Sequence, residues 1–446
     1  MLFDDPVFGS RMLTMLTLSF HIIFATIGVG VPLMIMIAQW IGIKRNDPHY
    51  LLMARRWAKG FVVTVAVGVV TGTAIGLQLS LLWPRFMELA GHVIALPLFM
   101  EVFAFFFEAI FLGIYLYTWD RFENPKKHLL LLVPVAIGAA MSAFFITTVN
   151  AFMNMPEGFE IVNGQLTSVN PLMAMFNLAT WTKVTHVVAT AFMTSAFILA
   201  SIAAFHLLRG SKQTYHKKGL HLTMKVGLVF AIASALLGDF SGKYLAEHQP
   251  EKLAAAEWHF ETETEAPLIY MGILDDDQNV RYALEIPYAL SILAFNNPSA
   301  EVIGLNEFPE EEQPPLFIHY FFDIMITIGS LMIFLGLIYV IGTRYNWNWI
   351  RQKWFRFCIL LGGPLSMIAI ESGWWLAEFG RQPWILRGFM TVDQAATQSD
   401  HVGLMFVLFA ILYLVLGIGV VVVLTRMFKQ NPVEKDLASL QGGEGR

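Results

Sequence analysis

Charge is scarce in this sequence. Of 446 residues only 14% are Asp, Glu, Lys or Arg, against 56% hydrophobic, and the mean hydropathy is +0.58. A water-soluble globule carries roughly a quarter of its residues as charge, so the composition excludes that class. A basic excess is missing too: the net charge of −5 argues against a nucleic-acid partner. Cysteine is nearly absent. The single Cys358 excludes an internal disulfide and any all-cysteine metal site. No internal repeat is evident. Asp4 and Asp5 precede the first basic residue, so the opening residues are not expected to form a secretory signal.

What is present in excess is long apolar runs. Nine reach or approach the roughly 20 residues needed to cross a bilayer: 12–43, 60–82, 93–118, 129–153, 181–208, 222–239, 317–342, 355–377 and 403–426, the sixth being the shortest. The expected fold is an all-α polytopic membrane bundle of about nine transmembrane helices. Basic residues concentrate in alternate loops: Lys44, Arg45, Arg55, Arg56 and Lys59; Arg121, Lys126 and Lys127; Arg209, Lys212, Lys217, Lys218 and Lys225; Arg344, Arg351, Lys353 and Arg356. The positive-inside rule puts these loops and the C-terminus in the cytoplasm and the N-terminus outside. The chain then divides into helices one to six (1–239), an external polar segment (240–316) and helices seven to nine with a cytoplasmic tail (317–446). The external segment is acidic, with Asp275–Asp277 and Glu310–Glu312. It reads either as a solvated flap or as a functional element.

Polar ligand-type residues inside the spans carry the functional reading, because they are expensive in hydrocarbon. His21, Glu101, His186, Met325 and Glu378 come from five different spans. At 1.5 Å per residue they all fall within roughly the outer 15 Å of the membrane. Taken singly, a histidine can be hydrogen-bonded to a carbonyl, Met325 can be packing, and Glu378 can be a structural acid paired with Arg381. Their common depth points to internal sites. Imidazole, thioether and carboxylate donors without cysteine suit haem iron, and a His/Met pair such as His186 with Met325 gives a six-coordinate, electron-transferring haem. A lone His or Glu ligand leaves one face of the iron open to oxygen. Haem–copper oxidases need a histidine cluster that is missing here, and bc-type cytochromes need paired histidines on shared helices. Seven residues separate Glu101 from Glu108, placing Glu108 about 10.5 Å deeper on much the same face, as in a proton relay. Ser142 is a candidate hydrogen-bonding step beside it.

Several stretches together resemble one family. They are GWWLAEFGRQPW at 373–384, Ser10-Arg11 ahead of His21, FMEVFAFFFEAIFLG with Glu101 and Glu108, WTKVTHVVAT with His186, and KLAAAE at 252–257. The chain resembles subunit I of cytochrome bd quinol oxidase, in its short-loop branch, over essentially its whole length. The resemblance implies quinol oxidation outside and four-electron reduction of dioxygen to water, with a proton gradient made without pumping, in a bacterial cytoplasmic membrane. It implies three haems. His186 and Met325 would ligate a low-spin haem b. His21 and Glu378 would each ligate one of a high-spin haem b and a haem d, in an order left open. Arg11, Ser142 and Arg381 would contribute to the cofactor sites, and Glu101 and Glu108 would serve protons. Trp374 would bridge electrons between macrocycles, its alternative being the interfacial aromatic belt. Lys252 and Glu257 match the family's quinol-linked pair, although residues five apart stand about 140° apart on a helix. Their alternative is an exposed Ala-rich helix. Subunit II and a small single-span subunit are the implied partners. One departure stands out: Asp323 occupies the position two before Met325, where some members carry a base. The competing readings are a proton-coupled transporter, and a haem b quinone reductase or membrane anchor without oxygen chemistry.

Overall fold

The computed structural model describes residues 5–162, 165–275 and 278–442. Asp4, Asp276 and Asp277 lie outside them. Among the described residues, nine helices are long and apolar enough to cross a membrane. In chain order they are α1 (Pro6–Arg45), α2 (Pro48–Leu82), α3 (Pro84–Tyr117), the pair α4 (Pro125–Leu130) and α5 (Leu132–Asn154) counted as one span, α7 (Leu178–Leu208), α8 (Thr214–His248), α11 (Ile318–Arg344), α12 (Lys353–Phe379) and α14 (Val402–Gln430). Short helices α6 (Pro171–Met175), α9 (Pro250–Glu257), α10 (Ala289–Phe295), α13 (Val392–Ala395) and α15 (Val433–Gly442) sit at the two ends.

Local sequence sets where several helices begin. Asp5-Pro6, Asp47-Pro48, Asn124-Pro125 and Asn170-Pro171 repeat one device. The Asp or Asn side chain accepts a first-turn N–H, and the proline has no N–H to leave unpaired. The helices overrun most of the expected spans. The sixth differs most: α8 continues to His248, beyond the apolar run that ends at 239. Hydropathy marks only the part that needs lipid, and a helix continues into water while its polar residues still favour it.

The long helix α7 is the axle of the bundle and packs on α1, α5, α8 and α12. Its contact with α12 repairs a defect. Pro364 lies inside α12 and cannot donate to the Leu360 carbonyl. Ser201 of α7 donates to that carbonyl at 2.8 Å and accepts from the Gly363 N–H at 2.8 Å. A Cβ at Gly363 would sit 2.6 Å from the Ser201 oxygen, so only glycine admits this approach.

Ion pairs tie the basic loops together at one end: Arg55 with Asp120 at 2.9 Å, Lys218 with Asp47, and Arg56 with Asp436 of α15. At the other end Arg11 pairs with Asp393 at 3.1 Å and Arg387 with Glu251 at 2.6 Å. There the segment between α8 and α11 forms a folded cap. It contains α9, α10 and short antiparallel strand pairs such as Leu268–Tyr270 with Leu284–Ile286. It is not a loose flap: residues Lys252 to Glu257 of α9 are all buried. Ala254, Ala255 and Ala256 pack with Leu305, Ile318 and Leu376.

Ser201→Ala should strand the Leu360 carbonyl and the Gly363 N–H in a buried place. The expected cost is about 1–3 kcal/mol, read as a lower thermal unfolding midpoint of the detergent-solubilised protein. An unchanged midpoint would show that α12 relaxes without this partner.

Candidate functional site

The cap end of the bundle gathers the polar side chains. At the end of α12, Glu378 takes a hydrogen bond on each oxygen: from Arg381 one turn later at 2.7 Å, and from the Asn150 amide of α5 at 2.6 Å. The Asn150 orientation follows from its other partner. Lys183 of α7 meets the Asn150 oxygen at 3.0 Å. With the Lys183 amine donating to the amide oxygen, the amide nitrogen faces Glu378 and donates to it. Arg381 is held in turn by the carbonyls of Ile385 and Trp384. Each carboxylate oxygen keeps a second lone pair. Nothing in the sequence pattern singled out Asn150 or Lys183; the available signal was a lysine inside an apolar run and the Asn150/Asn154 pair one turn apart.

His21 of α1 is oriented by Thr71 of α2 at 2.8 Å. The Thr71 hydroxyl donates to the Val67 carbonyl at 2.9 Å. It can therefore only accept from His21 Nδ1, which leaves Nε2 with a free lone pair. His186 of α7 has a buried Nδ1 without a hydrogen-bond partner among the described residues, and its ring lies beside the Ser234 backbone. A Cβ on Gly238 of α8 would lie 3.3 Å from its ring, and one on Gly72 would lie 3.2 Å from the His21 ring. Met325 of α11 follows the same pattern: its sulfur would be 3.0 Å from a Cβ on Gly373 of α12. Each of these three candidate ligands therefore sits where the neighbouring helix has no side chain. Free imidazole and thioether donors in glycine-backed slots, and a carboxylate with lone pairs to spare, fit haem iron.

The relay residues also meet. Ser142 of α5 donates to Glu101 of α3 at 2.9 Å, and Glu108 is buried seven residues on. Gly138 of α5 faces the backbone and Cβ of Glu108. Glu371 is half-buried beside Ser19. Trp374 is half-buried one turn before Glu378, while its neighbour Trp375 bonds Ser19 at 2.7 Å. Arg11 lies at the start of α1 with its Nε buried and unpartnered.

In the cap, Lys252 and Glu257 occupy different faces of α9, as their spacing requires. The exposed-helix alternative is excluded, because both are buried. The Lys252 ammonium donates to the Ala377 carbonyl at 3.2 Å and packs against Gly380, where any side chain would collide with it. Burial, then the nearby Arg381 charge, lowers its pKa to about 8. Glu257 has no exposed surface and, among the described residues, no hydrogen-bond partner on either oxygen. Burial, reinforced by Asp323, pushes its carboxyl well above the usual range. Asp323 is itself buried, accepts from the Met271 N–H at 2.6 Å and faces His319 at 3.2 Å. His319 bonds the Ala256 carbonyl at 2.7 Å and stacks on Trp258. Asp323, two residues before Met325, thus sits beside the His319 ring.

A helical membrane bundle that holds such a donor set under a cap with a buried Lys and Glu is of the haem-bearing redox class. The comparisons narrow this. Residues 10–432 match the family model of cytochrome bd terminal oxidase subunit I. A Bacillus subtilis (strain 168) protein named "Putative cytochrome bd menaquinol oxidase subunit I" is 44% identical, covering 97% of this chain and 99% of its own. A second protein of that strain, cytochrome bd ubiquinol oxidase subunit 1, is 32% identical over 93% of this chain and 92% of its own. The solved bd oxidase of Geobacillus thermodenitrificans is 66% identical, with a TM-score of 0.94 over 97% of this chain and 100% of that one. The chain belongs to the cytochrome bd oxidase subunit I family. It is a quinol oxidase subunit of aerobic respiratory electron transport and a multi-pass protein of the bacterial inner membrane. The family brings haem cofactors, a quinol substrate and a subunit II.

Gly373→Val should displace the Met325 sulfur. The expected result is loss of much of the low-spin haem signal in the visible spectrum at retained haem content. A spectrum identical to wild type would remove Met325 from the ligand set.

Proposed function

We propose the residue assignments and sidedness by which this subunit oxidises quinol at the cap and reduces dioxygen within the bundle. His186 and Met325 hold a low-spin haem b. His21 and Glu378 hold the two high-spin haems, a haem b and a haem d. Bound there, the haems supply the electron-accepting and oxygen-reducing chemistry. The carrying observation is the Glu378 carboxyl group, oriented by the Asn150 amide and the Arg381 guanidinium near the buried Lys252.

The protein's own groups then divide the work. Lys252, charged below about pH 8, anchors a quinone oxygen. Glu257 accepts a quinol proton; with its raised pKa it binds that proton more firmly than an ordinary carboxylate. Arg381 fixes the carboxylate of Glu378, and Arg11 offers a cation at the same end. Trp374 stands next to the Glu378 site as an electron bridge. Glu101, hydrogen-bonded by Ser142, and Glu108 seven residues further along α3 serve protons moving toward the oxygen site. The basic-loop end faces the cytoplasm, so the N-terminus and cap lie outside. Quinol protons then leave on the outer side, while protons for water come from within. A small single-span subunit completes the assembly with subunit II.

The decisive experiment is the reduced-minus-oxidised spectrum and quinol-driven oxygen consumption of Met325→Leu. The low-spin haem should become high-spin and quinol turnover should fall at least ten-fold. An intact low-spin signal overturns the assignment.

Glu257 yields a pH test with a definite sign. Its folded-state pKa is raised, so the folded protein keeps a proton that the unfolded chain releases above the ordinary carboxylate range. Its contribution to stability therefore falls as pH rises from about 5, by up to about 1.4 kcal/mol per pH unit. Glu257→Gln should be the more stable protein at pH 8, by an amount that shrinks toward pH 5, yet should lose quinol turnover. Thermal unfolding across pH, paired with turnover, separates this from simple misfolding. A variant that is stable and fully active would strip Glu257 of its role.

A further inference from the structure

Far from the cap, the basic-loop end of the bundle holds a cavity of about 490 Å³ that none of the quinol or oxygen chemistry uses. It lies where α7 ends, α8 begins and α14 passes into α15. Arg209, Lys212 and Lys429 line it, and no ion pair engages any of the three among the described residues. The lining acid is Glu434, and its carboxylate is taken by the Gln213 amide at 2.9 Å. His206 and His216 form one wall, their rings stacked at 4.4 Å. His216 is 7% exposed and lines the cavity, and neither ring nitrogen has a hydrogen-bond partner among the described residues. The 35-residue α8 starts here at Gln213, whose side chain does not cap it. Its first-turn N–H groups therefore add a positive end.

We propose that this cavity binds a phosphate group. Three cations outside any ion pair among the described residues, against the single carboxylate of Glu434, leave the lining net positive and give an anion site. An unpartnered buried imidazole supplies a directional donor, and guanidinium geometry matches phosphate oxygens. The volume exceeds what one inorganic ion fills. The walls carry the last residues of membrane-crossing helices, among them Phe428 of α14, so the level is that of lipid headgroups. The phosphate is carried either by an anionic phospholipid or by a soluble phosphate compound.

The two-subunit holoenzyme distinguishes these. Native mass spectrometry during titration with phosphatidylglycerol reads the lipid arm. Thermal shift with inorganic phosphate, against chloride at equal ionic strength, reads the soluble arm. The variants are Arg209→Gln/Lys212→Gln and, separately, Lys429→Gln. Haem spectrum and quinol turnover should stay at wild-type values in Lys429→Gln, which certifies its fold. Lipid retention falling at least five-fold in the variants, with no phosphate-specific shift, supports a lipid headgroup. A saturable phosphate shift in wild type that is lost in the variants, without lipid retention, supports a soluble phosphate. Equal lipid binding by wild type and variants, together with equal shifts in phosphate and chloride, overturns the proposal.

Discussion

One carboxylate organises the cap end of this molecule. Glu378 is half-buried at the end of α12, and a guanidinium and an amide each donate to one of its oxygens. That requirement propagates. Arg381 must be anchored on the carbonyls after α12, so the chain turns back there. Asn150 must present nitrogen rather than oxygen, so Lys183 must stand behind it. Lys252 arrives from the cap and rests on the Ala377 carbonyl, which brings α9 onto the end of α12. Four separate stretches of chain converge around one carboxyl group, and removal of either donor would leave a half-buried polar group short of a partner.

Small residues make that convergence possible. Gly380 leaves room for the Lys252 stem, and Ala254 to Ala256 let α9 lie flat against α11 and α12. Deeper in the bundle, Gly72, Gly238 and Gly373 each face a candidate ligand. The apolar helices supply the area that holds the bundle, but the glycines leave the room that the His21, His186 and Met325 side chains occupy. Proline is used with the same economy: Pro364 breaks one backbone bond in α12, and Ser201 restores it from the neighbouring helix.

The nine spans were legible because hydrocarbon demands uninterrupted apolar length, a property of sequence alone. So was the grouping of the basic loops at one end, which the pairs Arg55–Asp120 and Lys218–Asp47 display. The candidate site was legible where a residue type is costly in a membrane: His21, His186, Glu101 and Glu108 announce themselves. The separation of Lys252 from Glu257 followed from helical geometry. Asn150, Lys183 and Thr71 were not legible. They are chemically ordinary, and their importance comes from which carboxylate or imidazole the fold sets within 3 Å of them. The extent of α8 was missed for a related reason, since hydropathy registers lipid contact and not helix length.

Sequence by itself determined that the chain crosses a membrane repeatedly and carries haem-type donors on several helices, because apolar length and intramembrane polarity are local and additive. Only tertiary structure decided the hydrogen-bond partners and orientation of those donors. A tautomer or an amide direction is set by partners that lie up to hundreds of residues away along the chain, and sequence does not encode their distance.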